Sequence, residues 1–410
     1  MDMGQVRTLV VKSRGHFRAA FDDFAPPERF LEVDCPGLTT PNLKSLPWRY
    51  LPRPMYPIDD HTTWSPLPMD LSRFPRRRYT IGATPLEFLP NFTRALSPDG
   101  QGPNIWIKRD DMLGLFPGGN KTRKLEFLVA EALAQGADTL ITCGAPQSNH
   151  CRITLAAAVK EGLKCRFVIE ERVPGSFHED ASGNHFMFRL MGVEALTVVP
   201  AGSNMGAAMQ QVADELVAQG RKGYIIAGGG SNALGGLGYV ACAQELQQQF
   251  YDQDVRIDQV VVGSGSSGTH GGLVAGFIGN HINIPIVGIG VSRDPADQEP
   301  LVYKEAQAVA DLLGLGLTIP REAVVSVGGF WQPKYSIPNE KMVEAVQMLA
   351  RTEAILLDPV YTGKIMAGLI GLVRQGFFKA GENLLFLHTG GLPSLHAYEA
   401  VVLGKTPVAA

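Results

Sequence analysis

The sequence predicts an α/β fold of two lobes, each built on a mostly parallel sheet. Short β-branched runs alternate with helix-patterned segments from residue 105 to 388, as repeated βαβ units do when helices cover both faces of a sheet. The units are too many for one comfortable sheet. A chain of 410 residues therefore predicts two three-layer α/β/α lobes with a cleft between them. Glycine runs at 118–119, 228–230, 271–272 and 390–391 mark sharp turns or backbone that comes close to a ligand.

Residues 1 to about 75 stand apart. They carry many prolines (Pro26, Pro27, Pro36, Pro41 and Pro47 among them) and no sustained periodicity, yet Trp48, Tyr50, Tyr56 and Trp64 are unlike a disordered tail. An ordered extension wrapping the body or a neighbouring subunit is expected. Beyond it, 139–143 is a β-branched run and predicts a strand, and 149–161 predicts a helix behind a Ser148-Asn149 start. A strand at 165–169 follows. The alternation continues with strands at 196–199, 224–227, 259–263, 286–291, 324–327 and 384–388. Helices are predicted at 207–218, 239–250, 270–277, 299–313, 340–351 and 363–374. No repeat of fixed period emerges.

Hydrophobic residues make up 45% and charged residues 19%, ordinary for a globular protein, and no run of 18 apolar residues is present to span a membrane. A net charge of −3 without a basic stripe gives no reason to expect nucleic acid or an anionic membrane as partner. The five cysteines (Cys35, Cys143, Cys151, Cys165 and Cys242) show no Cys-x-x-Cys spacing, which argues against a disulfide framework or a metal site. A cytoplasmic protein with reduced thiols is expected. Arg7, Lys12, Arg14 and Arg18, with no acid between Asp2 and Asp22, are the only trace of an organelle presequence.

Five segments carry chemistry. In Gly118-Gly119-Asn120-Lys121, Asn120 suits an N-cap and Lys121 the first helical position, where the helix dipole disfavours an ammonium and favours a nucleophilic amine. Alone, the pattern equally fits a solvated basic helix start. Gln147-Ser148-Asn149-His150 joins a strand to a helix, and the free backbone N–H groups of such a turn bind carboxylates and phosphates. Ordinary capping is the plainer account. Gly263-Ser264-Gly265-Ser266-Ser267-Gly268-Thr269 formally matches the dinucleotide Gly-x-Gly-x-x-Gly, with Asp294 after the next strand. Its three serines and Thr269 equally suit a cradle for one phosphate monoester. Asp358-Pro359-Val360-Tyr361-Thr362-Gly363-Lys364 and His388-Thr389-Gly390-Gly391 each meet a helix after an apolar run. Tyr361 as core packing and His388 as a satisfied buried histidine are the ordinary readings there.

In this order, Gly-Gly-Asn-Lys-Thr-Arg-Lys-Leu-Glu-Phe-Leu at 118–128 and the segments 147–150, 358–364 and 388–391 resemble the D-cysteine desulfhydrase and 1-aminocyclopropane-1-carboxylate deaminase family of fold-type II pyridoxal phosphate enzymes, over roughly residues 72–400, which favours the phosphate reading of 263–269. The resemblance implies a tryptophan synthase β-like fold with pyridoxal 5′-phosphate as cofactor, no metal, a small amino-acid substrate and a homodimer. A large cofactor domain of 76–123 with 236–410, and a small domain of 124–235, are expected. Lys121 is similar to the lysine that holds the cofactor as a Schiff base and moves the Cα proton. Asn149 resembles the partner of the cofactor's 3′ oxygen, and Thr389 that of the pyridine nitrogen. Gly265, Ser266, Ser267, Gly268 and Thr269 resemble the phosphate loop. Ser148, with Gln147 and Asn149, resembles the carboxylate site, and Tyr361 and Tyr335 the tyrosines over the substrate side of the ring, with Thr362 beside them.

Deaminases of this family that open the cyclopropane ring carry glutamate after the tyrosine and leucine before the last glycine pair, where this sequence has Thr362 and Thr389. A hydroxyl beside the pyridine nitrogen makes a shallower electron sink than a carboxylate, which suits loss of a good β leaving group. The segment from Trp331 to Glu340 is closer to the deaminase version. The resemblance implies a lyase of amino-acid metabolism that takes D-cysteine to pyruvate, sulfide and ammonia. L-Cysteate, with Lys334 or Arg152 as the cation for its sulfonate, is the nearest competitor. 3-Chloro-D-alanine and the cyclopropane amino acid follow. Outside the class stand an NAD-dependent oxidoreductase and a catalytically silent binding protein.

Overall fold

The computed structural model describes residues 26–31, 69–115 and 117–406, with Thr8 and Val408. The chain divides into two units, 1–67 and 68–410. The described part of the first is a single 3-10 turn, Pro27–Arg29, closed by the Arg29 amide donating to the Pro26 carbonyl at 2.9 Å. The expected wrapping extension falls, for most of its length, outside the described residues.

The second unit holds two sheets. Its elements in order are β1 (Leu86–Phe88), α1 (Pro90–Leu96), β2 (Asn104–Lys108), α2 (Lys121–Ala134), β3 (Thr139–Gly144), α3 (Asn149–Lys160) and β4 (Lys164–Glu171). Then come α4 (Asn184–Leu190), β5 (Ala195–Pro200), α5 (Met205–Ala218), β6 (Gly223–Ile225), α6 (Ala233–Asp252), β7 (Gln259–Ser264) and α7 (Gly268–Gly279). The series closes with β8 (Ile286–Gly290), α8 (Pro295–Leu313), β9 (Val325–Val327), α9 (Glu340–Glu353), α10 (Thr362–Arg374), β10 (Asn383–Leu387) and the short α11 (Glu399–Val402).

Six strands form one sheet in the order β1-β2-β10-β7-β8-β9, and four form the other in the order β5-β4-β3-β6. Only the β1–β2 pair is antiparallel. The apolar runs of β7 and β10 are buried on both faces. Val261, Leu384 and Phe386 face the core under α9 and α10, while Val260, Val262, Leu385 and Leu387 face the core under α6, α7 and α8. That period of two sets the three layers. Among the described residues no helix is long and apolar enough to cross a membrane.

Two predicted elements shift. The strand expected at 224–227 ends at Ile225, because Gly228–Gly230 breaks it into a 3-10 turn. The helix expected at 239–250 begins six residues earlier, capped by the Asn232 side chain accepting from the Gly235 amide at 2.8 Å. Gly236 and Gly238 disguised that start, being poor helix formers. A Cβ on Gly236 would stand 2.3 Å from Val309 Cγ2, and one on Gly238 would stand 2.4 Å from the Arg123 carbonyl. Close packing of α6 against α2 and α8 requires both.

Candidate active site

The C-terminal ends of β3, β7 and β10 open on a cavity of about 610 Å³, where ligands of parallel sheets bind. Lys121, Ser148, Asn149, Ser266, Tyr361 and Thr389 all line it. Segments far apart in the chain meet at one glycine. Gly119, at φ +143°, pairs with Gly390 in an isolated bridge, and a Cβ there would lie 2.7 Å from Asn149 Nδ2 and 3.2 Å from the Thr389 carbonyl. Only glycine combines that φ with that space.

Lys121 opens α2 as expected, but Asn120 does not cap the helix with its side chain. Asn120 has helical φ and ψ. Its Nδ2 donates to Thr269 Oγ1 at 3.0 Å, its Oδ1 accepts from Lys121 Nζ at 2.9 Å, and its backbone amide donates to the Thr389 carbonyl at 3.1 Å. A residue read as a cap is the clamp between the lysine and two other segments. The Lys121 amine is held down to about 8, chiefly by burial, with Asp358 pulling the other way. Burial favours the nucleophilic amine.

Gly265, Ser266 and Ser267 line the cavity at the head of α7, with Gly268 and Thr269 behind them as its first turn. Ser267 sits at φ +73°, a strained conformation for a serine. Facing this loop is a wall that sequence reasoning missed. Ser231 Oγ bonds Ser266 Oγ at 2.9 Å, and a Cβ on Gly229 would meet the same Ser266 oxygen at 2.3 Å. Buried Lys124 reaches over from α2, its Nζ donating to the Gly229 carbonyl at 3.1 Å, and a Cβ on Gly268 would lie 2.9 Å from that nitrogen. The run at 228–230 had been singled out as a site of close approach. Lys124 follows Lys121 by three residues in the sequence, on the same helix face.

Ser148 caps α3, its Oγ accepting from the Cys151 amide at 3.2 Å. Gln147 reaches the cavity but spends its amide on the Ser182 carbonyl and the Asn184 amide, both at 2.9 Å. Asn149 Oδ1 accepts from Arg152 at 2.6 Å. Next to them is His150. Thr142 Oγ1 donates to the Ile226 carbonyl at 2.8 Å, so His150 Nε2 must donate to Thr142 Oγ1 at 2.7 Å. Its Nδ1 is then a buried acceptor with no hydrogen-bond partner among the described residues. Burial holds the ring neutral, helped by Lys121 and Lys124.

Tyr361 packs on the phosphate-loop side, where a Cβ on Gly263 would meet its Cε1 at 2.6 Å, and Lys121 Nζ stands 6.0 Å from its ring centre. Tyr335 also lines the cavity, and burial raises its hydroxyl to about 12. Thr362 does not reach the cavity. It is fully buried, donates its hydroxyl to Asp358 Oδ2 at 2.7 Å and accepts from the Asp358 amide at 2.8 Å. Asp358 also takes the amides of Val360, Tyr361 and Thr362, which shapes the start of α10. His388 is a satisfied buried histidine, between the Leu356 carbonyl and the Gly390 amide. Asp294 precedes α8 and accepts from Trp331 Nε1 at 3.2 Å.

These residues fit a phosphorylated pyridine aldehyde. A buried amine of lowered pKa is available, a glycine-serine cradle lies beside a second buried lysine, and His150, whose buried Nδ1 has no partner among the described residues, is one of the residues lining the same cavity. The sequence model of the pyridoxal-phosphate dependent enzyme family matches residues 77–390. A crystal structure of an ACC deaminase homologue superposes at TM-score 0.73 with 33% identity, covering 84% of this chain and 100% of that one. A fungal L-serine ammonia-lyase from Rhizomucor miehei (TM-score 0.55, 20% identity, 80% and 100% covered) and an O-ureido-L-serine synthase (0.56, 16%, 85% and 98%) share the fold. The dinucleotide reading of the Gly-x-Gly-x-x-Gly gives way to these matches. The chain belongs to the fold-type II pyridoxal-phosphate dependent enzymes, and pyridoxal 5′-phosphate is its cofactor.

Proposed function

We propose that this enzyme is a lyase that eliminates a β substituent from a small amino acid, with D-cysteine the first candidate and pyruvate, sulfide and ammonia the products. The observation that carries the reading is Lys121, an amine held near 8 over the Tyr361 ring, in the cavity that the Ser148 helix start also lines. Lys121 would bind the cofactor covalently and, once released, take the Cα proton on Nζ. Gly265, Ser266, Ser267, Gly268 and Thr269 would hold the phosphate, with Lys124 beside them. Asn149 would bond the 3′ oxygen. Thr389 would meet the pyridine nitrogen with a neutral group. The bound cofactor supplies the sink for the electron pair left on Cα.

Ser148, with Asn149 and Gln147, would orient the substrate carboxylate at the α3 N-terminus. Tyr335 and Tyr361, both held protonated by burial, would close the substrate side against water and offer a proton to the departing group. Thr362 acts here only through Asp358. A homodimer is part of the same proposal, to be checked by light scattering.

A panel of D- and L-cysteine, L-cysteate, 3-chloro-D-alanine and 1-aminocyclopropane-1-carboxylate, assayed for pyruvate and 2-oxobutyrate, tests the reading. Pyruvate from a β-substituted amino acid is expected. 2-Oxobutyrate from the cyclopropane would refute it.

A further inference from the structure

Neither Arg152 nor Lys334, the cations expected for an acidic substrate, is available in the cleft. Arg152 is fully buried and gives its Nη atoms to the Leu115, Pro117 and Gly118 carbonyls and to Asn149, at 2.6–2.9 Å. Lys334 is exposed and does not line the cavity. Of the cations that do line it, Lys121 has its own task, and Arg293 donates to the Gly265 carbonyl at 3.0 Å. Lys304 stands on α8 beside Glu305. Arg172 is different.

Arg172 follows β4 directly, at the strand's C-terminal end. Its Nε donates to Glu170 Oε2 at 2.7 Å, and Glu170 Oε1 is itself fixed by the Gly202 amide at 3.0 Å. The guanidinium lies 5.0 Å over the ring of Tyr335, which belongs to the other sheet's side of the cleft. One edge and one face are thus committed, while neither Nη atom has a hydrogen-bond partner among the described residues. The side chain lines the cavity at 41% exposure. A guanidinium oriented in advance, with two unspent donors, is suited to an oxyanion.

Its place in the cleft matters as much as its charge. Lys121 stands over Tyr361, Tyr361 and Tyr335 pack on one apolar core, and Arg172 stands over Tyr335. A substrate with its Cα at Lys121 and its carboxylate at Ser148 extends its β substituent along the tyrosines. We propose that Arg172 is the leaving-group site of the cleft, receiving the negative charge that the β substituent carries or acquires as it departs. This rests on the β-elimination reading. In that reaction the Cα proton passes to Lys121, the Cα pair forms the Cα–Cβ double bond, and the Cβ–S bond breaks with its electrons going to sulfur. Hydrosulfide leaves from a thiol and sulfite from a sulfonate. Water then hydrolyses 2-aminoacrylate to pyruvate and ammonia.

The two leaving groups use the site at different moments. A sulfonate is charged before reaction and is held in the bound state, whereas a thiol gains charge only as its bond breaks. The holoenzyme, Arg172→Gln and Arg172→Lys are therefore compared with D-cysteate and with D-cysteine, which share one Cα configuration. Calorimetric binding of 3-sulfopropanoate, which has no α-amine and cannot react, is measured alongside, with butanoate, which keeps the carboxylate but lacks the second charge, as the control and the thermal midpoint as the folding control. Arg172→Gln is expected to weaken 3-sulfopropanoate roughly 10- to 100-fold, the loss of a charge-assisted pair, and Arg172→Lys to restore part of it. KM for D-cysteate rises by a similar factor, and kcat for D-cysteine falls more than its KM rises. Unchanged 3-sulfopropanoate binding in Arg172→Gln, or butanoate binding as tightly as the sulfonate, overturns the proposal. Arg172-dependent binding without keto acid from either amino acid would retain the anion site and reject the elimination.

Discussion

Asn120 Nδ2 donates to Thr269 Oγ1 across 3.0 Å, tying the residue before Lys121 to the first turn behind the glycine-serine loop at 265–267. The same Asn120 side chain accepts from Lys121 Nζ. One amide thus sets the spacing between Lys121 and the loop proposed to hold the cofactor's phosphate. Asn120→Ala removes both bonds in a buried place, and a loss of about 1–3 kcal/mol is expected. Absorbance titration of the apoenzyme with pyridoxal phosphate should show roughly 10- to 100-fold weaker binding.

Covalent attachment of the cofactor should speed up as pH rises through about 8, because only the unprotonated Lys121 amine is a nucleophile. Stopped-flow absorbance of the apoenzyme reads this. The stability consequence has a definite sign. The folded pKa lies below the unfolded one, so the lysine costs stability at neutral pH, and that cost fades as pH rises from about 8 towards the usual 10.5. Apo Lys121→Met should be more stable than the apo wild type at pH 7, with the gap closing over that window. An invariant gap would mean that the amine is not held down in the folded protein.

Gly119→Ala should abolish cofactor binding while leaving the sheets intact. The new Cβ meets Asn149 Nδ2 at 2.7 Å in a backbone conformation that alanine resists. Far-ultraviolet circular dichroism and the cofactor titration together separate local damage from misfolding.

Buried Lys364 should act through Tyr335. Its Nζ donates to the Trp331 and Lys334 carbonyls, both at 2.7 Å, and so holds the turn that carries the tyrosine. Lys364→Met leaves both carbonyls without that donor, at about 1–3 kcal/mol each when buried. A higher KM with kcat largely kept, and a lower urea midpoint, are expected.

Beneath the cleft, Arg123 binds Asp110 through two bonds of 2.8 and 2.9 Å and also pairs with Glu245. Burial works against the Glu245 carboxylate, but Arg123 and Lys108 outweigh it and hold its pKa near 2. Its stability contribution is present above the ordinary 4.5 and is lost as pH falls towards 2. Asp110→Asn, which leaves a buried guanidinium with less charge compensation, should cost about 3–5 kcal/mol in urea unfolding at pH 7.

Much of this was legible in the sequence, for a physical reason. Parallel strands buried on both faces read as apolar runs, and turns that bring backbone against a ligand read as glycine clusters, so the sheets and Gly119 announced themselves. Side-chain direction did not. Thr362 looked like a pocket residue until its hydroxyl proved to be folded onto Asp358. Arg152 looked like a free cation and is spent on carbonyls. Arg172 stands alone after a strand, with nothing in its neighbours to mark it. The glycine-rich start of α6 hid a helix whose glycines exist for close packing.

The central claim is that Lys121 carries the cofactor, and one measurement tests it most directly. The purified holoenzyme is reduced with borohydride, digested, and its peptides are sequenced by mass spectrometry. Pyridoxyl phosphate should be found on Lys121 and should disappear in Lys121→Ala. A label on Lys124 or Lys364, or on no lysine at all, would contradict the account.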